Sequence, residues 1–60
     1  MDTKYKILIV DDDPDIIEML DYNLSSEGYE VKSATHGYEA LVLAKKFIPD
    51  LIILDIMMPE

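Results

Sequence analysis

The stretch "KILIVDDDPDI", residues 6–16, sets an aliphatic, largely β-branched run directly in front of three consecutive aspartates. A continuously apolar run without alternation is the pattern of a strand covered on both faces, as in a parallel sheet. The acids that follow mark a change of structure. Asp13 is suited to accept backbone N–H groups as a helix N-cap, Pro14 fits the first helical position, and Asp15 and Glu18 complement the positive end of a helix dipole. Ile16, Ile17, Leu20 and Leu24 recur at helical spacing, and "SSEG", 25–28, closes the helix with Gly28 available for a left-handed turn. This predicts a strand over about residues 6–10 and a helix over about residues 14–26.

Further along, "YEVKSA", 29–34, alternates Tyr29, Val31 and Ser33 with Glu30, Lys32 and Ala34, a strand with one wetter face that suits the edge of a sheet. "THG" is a turn. "YEALVLAKKF" predicts a second helix over about residues 38–47, with Ala40, Leu41, Ala44 and Ile48 on one face and Lys45 and Lys46 in its last turn. Pro49 and Asp50 break that helix, and "LIILDI", 51–56, repeats the grammar of the first strand: an apolar run that meets an aspartate. The order is βαβαβ. Short connections through helices imply parallel strands, right-handed crossovers leave few arrangements, and the strand order 2-1-3 is expected, with one helix on each face. The carboxyl ends of strands one and three then lie side by side, where open α/β sheets place their ligand sites.

Composition narrows the function. Sixty residues, half of them hydrophobic and 30% charged, form at most one small globular unit. With no cysteine, neither a disulfide nor a cysteine-ligated zinc can support the fold. No apolar run reaches membrane-spanning length, so a cytoplasmic location is expected, with no membrane partner. Thirteen acidic against five basic side chains give a net charge of -8, and there is no arginine, which argues against direct contact with nucleic acid. The acids are not evenly spread: Asp11, Asp12, Asp13, Asp15, Glu18 and Asp21 stand together without an intervening lysine.

Neighbouring parallel strands are about 4.8 Å apart, so Asp55 at the end of the third strand is expected within reach of Asp11 and Asp12 at the end of the first. At about 5 Å, each like-charge pair costs roughly 3 kcal/mol at an effective dielectric of 20. A divalent cation removes that cost, and an all-oxygen donor set selects a hard ion, Mg2+ in particular. A carboxylate beside Mg2+ can also attack phosphorus, and Asp55, alone at its strand end, is best placed to do so. Each element also has a plainer reading. The triple aspartate alone reads equally well as a solvated helix start, and Asp55 alone as a strand-end residue capping the next loop. His36 reads as a loop histidine, Met57 and Met58 as packing side chains, and Lys45 and Lys46 as helix-end charge.

Taken together, "KILIVDDDPDI", "GYEVKSATHGYEAL" and "PDLIILDIMMP", with the spacing between their aspartates, resemble the receiver domain of two-component response regulators along the whole chain. The resemblance implies a flavodoxin-like doubly wound sheet of which this chain is the N-terminal βαβαβ half. It implies Asp11 and Asp12 as the acidic pair serving Mg2+, Asp55 as the phosphoacceptor, and the Met57 backbone carbonyl as a further metal ligand. The implied partner is a sensor histidine kinase, whose phosphohistidine donates to Asp55. Pro59 matches the proline of the turn that follows, and Asp13, at a position that varies in the family, remains a helix cap. The hydroxyl residue of strand four, the lysine of strand five and the aromatic switch residue implied by the family lie beyond this sequence, so the fragment alone is expected to be catalytically incomplete. Two rivals stand beside this reading. A haloacid-dehalogenase-like phosphatase would use Asp11 as nucleophile and Asp13 in a DxD pattern, although Asp15 replaces its usual threonine or valine. A truncated or engineered half-domain would act as a self-associating module, a homodimer or higher oligomer through the open third strand.

Overall fold

A computed structural model describes residues 4–54. The elements follow in the order β1 (Lys6–Val10), α1 (Pro14–Ser26), β2 (Glu30–Ala34), α2 (Gly37–Phe47) and β3 (Leu51–Leu54). The three strands form one parallel sheet in the order β2-β1-β3, as expected. The first crossover runs from β1 to β2 and the second runs back from β2 past β1 to β3, so they travel in opposite directions along the sheet and the same right-handedness sends the helices to opposite faces. Leu24 of α1 lies over Ile7, Leu51 and Ile53, whereas Ala40, Leu41 and Ala44 of α2 lie over Leu8, Val10, Ile52 and Leu54.

Burial is concentrated in the central strand, the only one of the three paired on both edges among the described residues. Ile7, Leu8, Ile9 and Val10 are all buried, joined by Ala34 and Phe47. The edge position of β2 shows in its alternation, with Glu30 and Lys32 exposed and Val31 and Ser33 half-buried, a pattern that ends at the buried Ala34. The third strand departs from the sequence pattern: its apolar run was read as covered on both faces, yet Leu51, Ile52 and Leu54 are 54%, 48% and 56% exposed. An apolar run reports what a strand can bury, not what is present to cover it. Likewise α1 has no fully buried residue. Ile17, Leu20 and Leu24 are half-buried, while Ile16 faces outward.

The second helix ends at Phe47, as expected, and departs from the expected apolar face at two places. Leu41 is exposed, and Ile48 leaves that face as the C-cap. Proline disfavours helical backbone in the residue before it, and Ile48, held before Pro49, adopts φ 51 and ψ 67 with its N–H donated to the Ala44 carbonyl at 3.0 Å. That left-handed conformation is costly for a β-branched side chain. The buried residue at this helix end is Phe47, and the ammonium groups of Lys6 and Lys32 each stand 5.6 Å from its ring centroid.

The other helix ends follow their local chemistry. Gly28 has φ 98, its N–H donates to the Ser25 carbonyl, and that of Tyr29 donates to the Leu24 carbonyl, the paired bonds of a Schellman motif. The strand β2 therefore begins at Glu30, one residue later than the alternation of "YEVKSA" implied. At the start of β3, Asp50 clamps the sheet twice: its N–H donates to the Lys6 carbonyl at 2.7 Å, and its Oδ2 accepts the Lys6 N–H at 2.8 Å. Asp50→Ala removes the second bond and is expected to lower stability by about 1 kcal/mol, read as a lower urea midpoint with an unchanged slope. An unchanged midpoint would show that water replaces the clamp at no cost.

Candidate functional site at the carboxyl edge of the sheet

The first strand delivers its aspartates to the carboxyl edge by extending the ladder one residue. The Asp11 N–H donates to the Ala34 carbonyl at 3.1 Å, which holds the Asp11 backbone to β2 beyond the last strand residue. Its side chain is 9% exposed, the one charged residue among the buried group. Such burial requires partners. The Asp13 N–H donates to Asp11 Oδ1 at 2.9 Å, so one carboxylate oxygen is engaged inside the turn. Among the described residues no protein donor reaches the other oxygen, and the Asp12 side chain is exposed with no protein hydrogen bond.

Asp13 is the N-cap of α1, as its position before Pro14 predicted. It has extended backbone (φ -102, ψ 110), its Oδ1 accepts the Asp15 N–H at 2.9 Å, and its carbonyl accepts the Ile17 N–H at 3.1 Å. Capping in this way satisfies donors that the first helical turn leaves free. Among the described residues the three aspartates therefore differ: one buried and half engaged, one exposed without a hydrogen-bond partner, one committed to the helix.

Opposite them, Leu54 of β3 pairs with Val10 of β1. The residues that follow this register pair in sequence are Asp55 and Asp11. Asp55 and Met57 lie outside the described residues, and among those described no group of three or more histidine, cysteine, aspartate or glutamate side chains is arranged to hold a metal ion. The donor chemistry that is described fits a hard cation, because it consists of carboxylate oxygen with one free face on Asp11 and an unengaged Asp12.

The neighbouring loop holds a feature the sequence reading missed. His36 is not merely a loop histidine: it caps α2, its Nδ1 accepting the Glu39 N–H at 3.3 Å, while Glu39 Oε1 accepts the Thr35 N–H and hydroxyl at 3.1 and 3.3 Å. This is a reciprocal cap of the kind formed by S/T-x-x-E, displaced by one residue. The glutamate three residues after a polar turn residue was its available signal. Asp50 was a second omission, marked in the sequence by its place between Pro49 and an apolar run.

Comparison with known proteins fits this arrangement. The response regulator receiver domain family matches residues 7–60. The chain belongs to the response regulator receiver domain family. Among curated relatives, this receiver chain is 51% identical over 55 residues to the alkaline phosphatase synthesis transcriptional regulatory protein PhoP of Bacillus subtilis, covering 92% of the chain and 23% of that protein. It is 46% identical over 55 residues to the DNA-binding dual master transcriptional regulator RpaA of Synechocystis, again covering 92% and 23%. Against the DNA-binding response regulator MtrA of Mycolicibacterium smegmatis it is 43% identical over 60 residues, covering 98% and 26%. The receiver chain thus spans about a quarter of the length of the curated relatives it matches. No helix among the described residues is long and apolar enough to cross a membrane.

Proposed function

We propose that this receiver chain is the cytoplasmic phosphoacceptor of a two-component phosphorelay, with Asp55 taking a phosphoryl group from the phosphohistidine of a sensor histidine kinase. The observation that carries this reading is the β1–β3 register, in which Val10 stands opposite Leu54, the residues next in sequence being Asp11 and Asp55. One peptide step moves the chain 3.8 Å, and adjacent strands are about 4.8 Å apart, so the register supports convergence of the two acids. A carboxylate oxygen of Asp55 attacks phosphorus in line, the bond to the donor imidazole nitrogen breaks, and the imidazole leaves with the electron pair as the acyl phosphate forms.

Asp12 and the free oxygen of Asp11 would hold Mg2+ with Asp55 and the Met57 carbonyl. When bound, the ion supplies screening of the phosphoryl charge. What the protein contributes is a rigid carboxylate at Asp11, held by burial and by the Asp13 N–H, and an exposed Asp12 free to meet the cation. The names of the relatives tie them to transcription and DNA binding; for this segment the net charge of -8 favours signalling input over contact with a phosphate backbone.

Incubating the protein with a phosphorylated histidine kinase and Mg2+, then mapping the product by mass spectrometry, tests the proposal. A single phosphoryl group on Asp55 is expected when the chain is part of a complete receiver domain, and weak or no transfer to the 60-residue chain alone. A modified Asp11 would favour the phosphatase reading instead, and no transfer to the complete domain with or without Mg2+ would reject the phosphoacceptor role.

The open flank of β3 favours a second property. As an isolated polypeptide, the 60-residue chain is expected to self-associate, because among the described residues nothing pairs with the outer edge of β3, and its four residues are apolar and uncharged, without the lysine, proline or bulge that guards exposed edges. An exact two-fold axis pairs an edge strand with its own copy only in the antiparallel sense, giving the strand order 2-1-3-3-1-2. Native mass spectrometry of the isolated chain should show dimers or larger species; a folded, monodisperse monomer would exclude this pairing.

A further inference from the structure

We infer that Asp13 is a positioning residue for the acidic pair, orienting the Asp11 carboxylate through its backbone N–H while its own carboxylate is withheld from the cation. This rests on the proposed role of Asp11 and Asp12 in holding Mg2+. Three consecutive aspartates could act as three equivalent ligands, but their geometry divides them. Asp11, nine-tenths buried, receives the Asp13 N–H on Oδ1 at 2.9 Å, and no donor among the described residues reaches its other oxygen. The extended backbone of Asp13 directs that N–H back toward Asp11 and its own Oδ1 forward to the Asp15 N–H, also at 2.9 Å.

The two bonds share one residue and therefore one backbone conformation. Releasing the Asp13 side chain from the Asp15 N–H frees the first turn of α1, and the extended conformation that points the Asp13 N–H at Asp11 is then no longer held from the helix side. Orientation of the buried carboxylate is thereby coupled to the start of α1, in the manner of outer partners that aim metal ligands. The consequence is a chemical asymmetry within "DDD": residue 13 needs a capping side chain, not a negative charge.

Three variants of the full chain separate capping from charge, since Asp13→Asn, Asp13→Ser and Asp13→Ala all remove the carboxylate but only the first two retain a good cap. Mg2+ titration followed by backbone amide NMR should give an affinity roughly fivefold weaker for Ala than for Asn or Ser, the equilibrium equivalent of one helix cap. Without metal, the residue-13 amide should exchange faster in the Ala variant by a similar factor. Equal Mg2+ affinities in the three variants, whether all strong or all weak, would overturn the inference, as would residue-13 protection that survives in Asp13→Ala. A wild-type chain that binds no Mg2+ would remove the proposed metal site, while the exchange comparison would still decide whether Asp13 holds Asp11.

Discussion

Asp55→Asn is expected to abolish phosphoryl uptake, whereas Asp11→Asn is expected to slow it while leaving the acceptor in place. The asparagine amide keeps the shape of the carboxylate but removes the oxygen nucleophile, so no acyl phosphate can form at that position. Asp11 is different in kind. It is buried and one of its oxygens is engaged by the Asp13 N–H; its proposed contribution is charge and position at the cation. Removing one such charge from a site where phosphoryl charge must be screened costs several kcal/mol of transition-state stabilisation, which corresponds to a rate loss on the order of 100-fold or more. Intact mass against time, with and without Mg2+, reads both effects. The phosphatase rival predicts the opposite ranking, with Asp11→Asn inert and Asp55→Asn merely impaired, so the pair of variants separates the two chemistries.

The largest structural effect is expected from Leu8→Ala. Leu8 is completely buried in the middle of β1 and lies on the face covered by α2. Truncation to alanine loses the transfer energy of the removed atoms and leaves a cavity that the sheet can only partly close, a cost of about 2–5 kcal/mol. A chain of this size has stability of roughly 3–5 kcal/mol at most from a single core, so the variant should be largely unfolded in the absence of denaturant. Leu51→Ala is the control. It removes the same atoms from a strand paired with the same β1, but Leu51 is already more than half exposed, and its loss should cost less than about 1 kcal/mol. Urea titration followed by far-ultraviolet circular dichroism distinguishes them; equal midpoints would mean that the core is not centred on β1.

The contrast between these two leucines shows where sequence reasoning succeeds and where it stops. Both sit in continuously apolar runs, and the runs correctly identify two strands of a parallel sheet. Periodicity records the faces a segment is able to bury, and it is blind to whether another element covers them. Hence Leu8 and Leu51 read alike in the sequence and differ in the fold. The same limit explains Leu41, which has helical spacing but faces an open trough, and Ile48, whose place on that spacing is overridden by the backbone restriction that Pro49 imposes.

At the candidate site, the family to which the chain belongs was legible in the order of residues, and Asp11 and Asp12 were legible as acids at the end of the first strand. Local chemistry also announced Asp13 as a cap and Gly28 as the left-handed end of α1, since both depend on residues a few positions away. What the tertiary structure decided depends on groups distant in sequence. The Asp11 amide is held by Ala34, the Lys6 amide and carbonyl are clamped by Asp50, and Val10 is set opposite Leu54. Composition and periodicity could specify that three parallel strands form in the order 2-1-3, but burial of Asp11 and exposure of Asp12, two adjacent and chemically identical residues, follow only from where the pleat and the first turn of α1 direct their side chains.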